Sequence, residues 1–81
     1  MNEHNQIQRD YIADAIRRQM KLKRLSLRKV EEKVRRDSLG EIDISYSQIA
    51  RVTRGTNYTI DTLLTIIQSL DLEIQLVKKD D

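Results

Sequence analysis

Basic side chains are concentrated in one segment of this sequence. Residues 17–36 contain ten Lys and Arg against two Glu, a local net charge of 10 − 2 = +8. Because the whole chain carries only +2, the remainder carries 2 − 8 = −6. Clustered cations attract phosphates, since binding releases the counterions condensed on a nucleic acid. The pattern therefore favours a polyanionic partner, although a solvated basic helix face gives the same pattern without any ligand.

The residue types needed for catalysis or metal binding do not form a recognisable constellation. The single His, His4, has no Asp, Glu or His at ligand spacing, and there is no Cys. Glu31 and Glu32 point to different sides of a helix and have no partner acid or base. Glycine-rich phosphate loops and nucleophile motifs are also missing. We therefore expect no enzyme, no cofactor and no metal.

Composition also bears on the compartment. Without Cys there is no disulfide framework that would indicate an oxidising environment. No apolar run approaches the length of a membrane span, and residues 1–6 are polar instead of resembling a signal peptide. We expect a cytoplasmic protein with no membrane partner.

The apolar pattern predicts an all-α domain of four to five helices with one C-terminal strand. The chain is short enough for one domain only. Residues 1–6 are expected to be a flexible tail and residues 7–71 the helical domain. A first helix over residues 7–23 has an apolar stripe of Ile12, Ile16 and Met20, with Ala15 beside it.

A second helix is predicted after an N-cap at Ser26. Its inward positions are Leu27, Val30 and Val34, and it ends near Arg36. The polar residues that follow, up to Asp43, predict a loop around Gly40.

The strongest helix-start pattern follows this loop. Ser45 and Gln48 are spaced as a capping box, and Ile44 can pack on Ile49 as a hydrophobic staple. With Ile49 and Val52 inward and Gly55 as a left-handed C-cap, a helix is predicted over about residues 45–54.

The last predicted helix begins at another N-cap, Thr59. Asp61 lies in its first turn, where a negative charge suits the helix dipole, and Tyr58 can pack on Leu63. The apolar face expected for this helix consists of Leu63, Leu64, Ile66, Ile67 and Leu70.

After Asp71 the apolar period changes to alternation. Leu72, Ile74 and Leu76 share one side, which predicts a strand within the C-terminal segment 72–81. Since an isolated strand leaves its backbone groups unpaired, these three residues are expected to pair with a second copy and form a homodimer. A frayed tail is the alternative.

Two helices followed by a capped core helix is the layout of a helix-turn-helix domain. The run Ser-Tyr-Ser-Gln-Ile-Ala-Arg-Val-Thr-Arg-Gly over residues 45–55 resembles the recognition helix of the XRE family, and the residues that continue the likeness are Asn57, Thr59, Leu63, Leu64, Ile67 and Leu70. That family includes phage Cro and repressor proteins, with a lambda-repressor-like fold, and many antitoxins.

This resemblance implies a sequence-specific, double-stranded-DNA-binding repressor with residues 45–54 in the major groove. The residues implied to face base edges are Tyr46, Ser47, Gln48 and Arg51. The residues implied to lie at phosphates are Ser26, Arg28, Arg54, Thr56 and Asn57.

The chain departs from the family pattern at three places. Leu27 replaces the usual Gln, Glu31 replaces a small residue, and residues 35–43 replace a tight turn. Two alternatives therefore stay open: an antitoxin that neutralises a protein toxin and autorepresses its operon, and a protein-interaction module that has lost DNA binding.

Overall fold

The computed structural model describes residues 3–78 and, for side chains, residues 5–78. Four helices lie within that part of the chain: α1 (Glu3–Lys23), α2 (Leu27–Asp37), α3 (Tyr46–Arg54) and α4 (Ile60–Ser69). The all-α class predicted from the apolar pattern is therefore confirmed. None of these helices is both long and apolar enough to span a bilayer.

The first helix is longer than predicted. It begins at Glu3, so the part of the expected flexible tail that the structure describes is helical, while residues 1 and 2 lie outside the described residues. The buried alanine is Ala13, and Ala15 is exposed. Ile16 and Met20 are buried and Ile12 packs against the core, so the predicted stripe is confirmed. Only Ala15 lies off it, because Ala fits either side of an amphipathic helix.

The three helix starts predicted from side-chain caps are confirmed. The Ser26 hydroxyl accepts from the Lys29 N–H, the Ser45 hydroxyl from Gln48, and the Thr59 hydroxyl from Thr62. Each bond occupies one of the four backbone donors that a helix leaves unpaired at its start.

All four helices end in the same way. A residue one or two positions after each helix adopts a left-handed conformation, and the next N–H donates to a carbonyl five residues back, a Schellman motif. The left-handed residues are Arg24, Leu39, Gly55 and Asp71. The closing bonds are Leu25 to Met20, Gly40 to Arg35, Thr56 to Arg51 and Leu72 to Ile67, at 2.7–3.0 Å. Only Gly55 has the residue type that identifies this conformation in a sequence.

The core lies where the four helices meet, with α3 packed on each of the others. Its fully buried members are Ile16, Val30, Ile49, Val52, Ile66 and Leu70. Ile44 belongs to this buried cluster and Tyr58 packs against it, while their predicted staple contacts with Ile49 and Leu63 stay predictions. The prediction that Leu64 belongs to the apolar face of α4 is wrong, since Leu64 is exposed on the far side of that helix.

The predicted C-terminal strand is wrong, because residues 72–78 form no β-structure. Leu72 is the apolar residue that closes the α4 ending, and it packs against the core of its own chain. The residues after it find no neighbouring strand among residues 3–78, and extended backbone becomes a strand only when it has such a partner. Residues 79–81 of the predicted segment lie outside the described residues.

Candidate nucleic-acid interface

Helix α3 divides cleanly into a buried and an exposed side. Ile49, Ala50 and Val52 are buried. The side chains on the exposed side are Tyr46, Ser47, Gln48, Arg51 and Arg54. All four residues predicted to face bases therefore lie on solvent-accessible surface.

The N-terminus of α3 is held by a complete capping box. The Ser45 N–H donates to Gln48 Oε1 at 3.0 Å, and the Ser45 hydroxyl accepts from the Gln48 N–H at 3.4 Å. The Ser45 and Ser47 hydroxyls are 2.9 Å apart. Because its carbonyl oxygen is committed to the cap, Gln48 presents mainly the two donors of its amide to a ligand.

Helix α2 contacts the same end of α3 through two charged side chains. Glu31 Oε2 accepts from the Tyr46 N–H at 2.9 Å, and the Arg28 guanidinium carbon lies 4.7 Å from the centre of the Tyr46 ring. Stacking of this kind holds a cation over an aromatic face. Neither contact was predicted, although Glu31 stood out in the sequence by departing from the family pattern.

The C-terminus of α3 is tied to α1. The Arg17 guanidinium donates to the Thr53 carbonyl, and Gln6 Nε2 donates to the Gly55 carbonyl at 3.2 Å. Gly55 has φ +73°, and a Cβ atom there would lie 2.9 Å from Asp10 Oδ1. The left-handed conformation favours glycine at this position, and a larger residue would also have to displace the Asp10 side chain.

Two residues predicted to lie at phosphates have different hydrogen-bonding capacity. The Thr56 hydroxyl donates to the Arg51 carbonyl at 3.0 Å, so its proton is already used within the chain. The Ser26 hydroxyl accepts from the Lys29 N–H at 3.2 Å, which leaves its own proton free to donate. Ser26 thus retains the donor that a phosphate contact needs, whereas Thr56 does not.

A shallow hollow lies between α3 and the start of α4. Its lining consists of Gln48, Arg51, Asn57, Tyr58, Thr59 and Thr62. Gln48 and Arg51, predicted to face bases, are therefore brought together with Asn57, predicted to face phosphate. Burial raises the pKa of Tyr58, an effect that the positive charge of Arg9 opposes. The hollow gathers donors on one surface next to the exposed side of α3.

Much of the basic segment is neutralised within the chain. Six of its members form ion pairs with aspartates at 2.7–3.9 Å or in closer contact, and Arg18 with Asp14, Lys23 with Asp71 and Lys33 with Asp37 are examples. Lys33 also lowers the pKa of Asp37, chiefly by its hydrogen bond. By contrast, no ion pair to a described residue is formed by Arg28, Lys29, Arg51 or Arg54. Lys21 and Arg24 also form no ion pair with a described residue, so the unpaired cations of the basic segment and of α3 lie at the end of α1, at the start of α2 and along α3.

The residues predicted to form a dimer are not equivalent. Leu72 is packed in its own core, whereas Ile74 and Leu76 are exposed, with Val77 beside them. Pairing of Ile74 and Leu76 with a second copy remains a prediction.

No known protein family, curated protein or solved structure matches this chain. The likeness to the XRE family therefore remains a prediction from the residues. Among the described residues, no three His, Asp or Glu side chains are grouped so as to hold a metal ion.

Proposed function

We propose that the chain is a double-stranded-DNA-binding transcriptional repressor with a lambda-repressor-like helix-turn-helix, and that α3 enters the major groove. One observation carries the proposal. The exposed side of α3 combines hydrogen-bonding side chains with Arg51 and Arg54, and the similarly unpaired Arg28 lies over Tyr46 at its start. Such an arrangement supplies base contacts from one helix and phosphate contacts from its flanks.

The dimensions of α3 suit this role. Its nine residues span about 13 Å, and the major groove accepts an α-helix. Arg51 is the side chain best placed for a bidentate contact with guanine, because its guanidinium has no competing carboxylate within the described chain. Gln48 adds amide donors, which pair with acceptors such as guanine O6 and N7 or thymine O4.

Selection of bound sequences from a random DNA pool tests the proposal. We expect enrichment of one site. We also expect the logarithm of the binding constant to fall linearly with the logarithm of the salt concentration, with a slope of roughly −0.9 per phosphate contact. Recovery of no preferred site, together with a salt slope near zero, would contradict DNA binding.

A second candidate is an antitoxin that also binds a partner protein. It is favoured by the C-terminal segment, where Ile74, Leu76 and Val77 are 44%, 96% and 82% exposed. Exposed apolar side chains in adjacent positions are typical of protein-binding surfaces.

This candidate predicts a separable activity. Suppose that expression of a neighbouring reading frame arrests growth. Co-expression of the natural chain should then restore growth, the Leu76→Lys variant should not restore it, and the Arg51→Ala variant should restore it as the natural chain does. Equal rescue by all three proteins would exclude the C-terminal segment as the toxin-binding surface.

A further inference from the structure

The outer surface of α1 carries large apolar side chains that stay exposed. Ile7, Tyr11 and Leu22 are 62%, 75% and 78% exposed, and Ala15 is exposed between them. At about 100° per residue, these four side chains fall within about 80° of the helix circumference. They point roughly opposite to Ala13, Ile16 and Met20, which face the core. A 21-residue helix with apolar residues on two opposite sides is suited to packing against a second surface.

The charged residues on this side of α1 neutralise one another. The Arg18 guanidinium is paired with the Asp14 carboxylate one turn earlier, and both side chains are about half or more exposed. The surface thus carries no net charge from this pair. A phosphate backbone gains little at such a surface, whereas an apolar partner loses little by covering it.

Residue spacing along this surface is the same in both directions. Ile7, Tyr11, Arg18 and Leu22 are separated by intervals of 4, 7 and 4 residues. Two such helices placed antiparallel, with a two-fold axis between Asp14 and Ala15, bring Ile7 opposite the partner's Leu22. The same register brings Tyr11 opposite the partner's Arg18, the pairing in which a guanidinium stacks on an aromatic ring. A two-fold contact requires a self-complementary surface of this kind.

We propose that this surface, the α1 stripe (Ile7, Tyr11, Ala15, Arg18 and Leu22), binds the α1 stripe of a second copy of the chain in an antiparallel pair. The small side chain of Ala15 lies at the axis, where it allows the two helices to approach closely. Every contact is made twice, so four large apolar residues and two Tyr–Arg pairs are covered in one dimer. The pairing does not require DNA.

Three exposed leucines provide a matched test by analytical ultracentrifugation of the full chain. Leu22→Lys changes the α1 stripe, while Leu39→Lys in the loop and Leu76→Lys in the C-terminal segment change leucines that are 91% and 96% exposed. A lysine at residue 22 suits the C-terminal turn of α1, so the helix itself is not weakened. We expect Leu22→Lys to raise the dimer dissociation constant about tenfold or more and the two other variants to leave it unchanged. The α1 stripe thus takes the place of the pairing through Ile74 and Leu76 that the sequence predicts.

Cross-linking gives a second readout that does not depend on affinity, since the natural chain contains no Cys. Ala15→Cys should be captured as a covalent dimer by a short bismaleimide, and Leu39→Cys should not. A chain that stays monomeric at all concentrations overturns the proposal. So does a dimer that Leu76→Lys dissociates and Leu22→Lys leaves intact, because that result would place the interface on the C-terminal segment.

Discussion

The Glu31 carboxylate accepts a hydrogen bond from the Tyr46 backbone N–H at 2.9 Å, which joins the middle of α2 to the first turn of α3. Together with the capping box of Ser45 and Gln48, this contact pairs three of the four free donors at the start of α3. A negative charge at that end of a helix is also favoured by the helix dipole. Glu31 therefore helps to hold α3 against α2, in addition to the packing of the two helices in the core.

Glu31→Ala should destabilise the fold by about 1 kcal/mol, because one N–H loses its partner and the helix dipole loses a counter-charge. Glu32→Ala is the matched control, since Glu32 is exposed and has no hydrogen bond or ion pair with a described residue. Thermal melting compares the two. Equal melting temperatures would show that the Glu31 contact does not stabilise the fold.

Substitution of Arg51 and substitution of Arg54 should have different effects on DNA binding if α3 binds DNA as proposed. Arg51→Ala should cost about 1–3 kcal/mol on the preferred site and relax the choice at one base pair, with little effect on random DNA. Arg54→Ala should weaken all sequences alike and reduce the salt slope by about one contact.

Titration of each variant against the preferred site and random DNA measures this difference, after melting has confirmed folding. An equal loss on both DNAs for Arg51→Ala would mean that α3 is docked in another orientation.

The two glycines allow conformational strain to be separated from steric contact. Gly40→Ala should cost about 1 kcal/mol, because φ is +82° and no atom lies within 4 Å of the added Cβ. Gly55→Ala should cost roughly 1 kcal/mol more, since its Cβ displaces Asp10 and disturbs the Gln6 bond to the Gly55 carbonyl.

Urea unfolding of both variants gives the comparison. Adding Asp10→Ala to Gly55→Ala should recover part of the difference, and a double variant no more stable than Gly55→Ala would argue against the contact with Asp10.

Asp71 should contribute to stability in a pH-dependent way. Its pKa is lowered, first by the hydrogen bond from Lys23 and then by the charge of that residue. A lowered folded-state pKa means that the contribution is present above the unfolded value of 3.8 and is lost as pH falls through the folded value. Asp71→Asn keeps a residue that tolerates the left-handed conformation while removing the ion pair.

Melting as a function of pH checks this expectation. The two proteins should converge in stability at the acid end and diverge towards neutral pH, with the natural chain more stable. A constant difference across the range would exclude the ion pair as the cause.

The helix starts could be predicted from local side-chain chemistry, whereas most of the helix ends could not. Ser26, Ser45 and Thr59 are residues whose hydroxyls cap helices, so their types alone indicate their roles. Arg24, Leu39 and Asp71 adopt the left-handed conformation without the residue type that favours it, because the core draws in Leu25 and Leu72 next to two of them. The alternation of Leu72, Ile74 and Leu76 therefore predicts a strand at a place where Leu72 closes the end of α4.

The candidate site likewise combines local features that the sequence predicts with contacts between helices that it does not predict. The exposed side of α3 follows from a helical period and a capping box, both of which are local. Contacts between elements, such as Arg28 over Tyr46 and Arg17 at the Thr53 carbonyl, depend on helix packing that no short pattern records. The ion pairs that neutralise much of the basic segment also lie partly between elements, as Lys23 with Asp71 shows.

The connection between α2 and α3 is held by its own hydrogen bonds, such as the one from the Gly40 N–H to the Arg35 carbonyl, while Glu31 holds α3 from the side. Leu39 is 91% exposed, and the added Cβ at Gly40 would meet open space. A cut or a peptide insertion between these two residues disturbs the Gly40 bond that closes α2 but leaves the core and the Glu31 contact in place. We therefore expect fragments 1–39 and 40–81 to reassemble when expressed separately. A domain of this construction lends itself to use as a split reporter, in which reassociation of the halves restores the surface of α3.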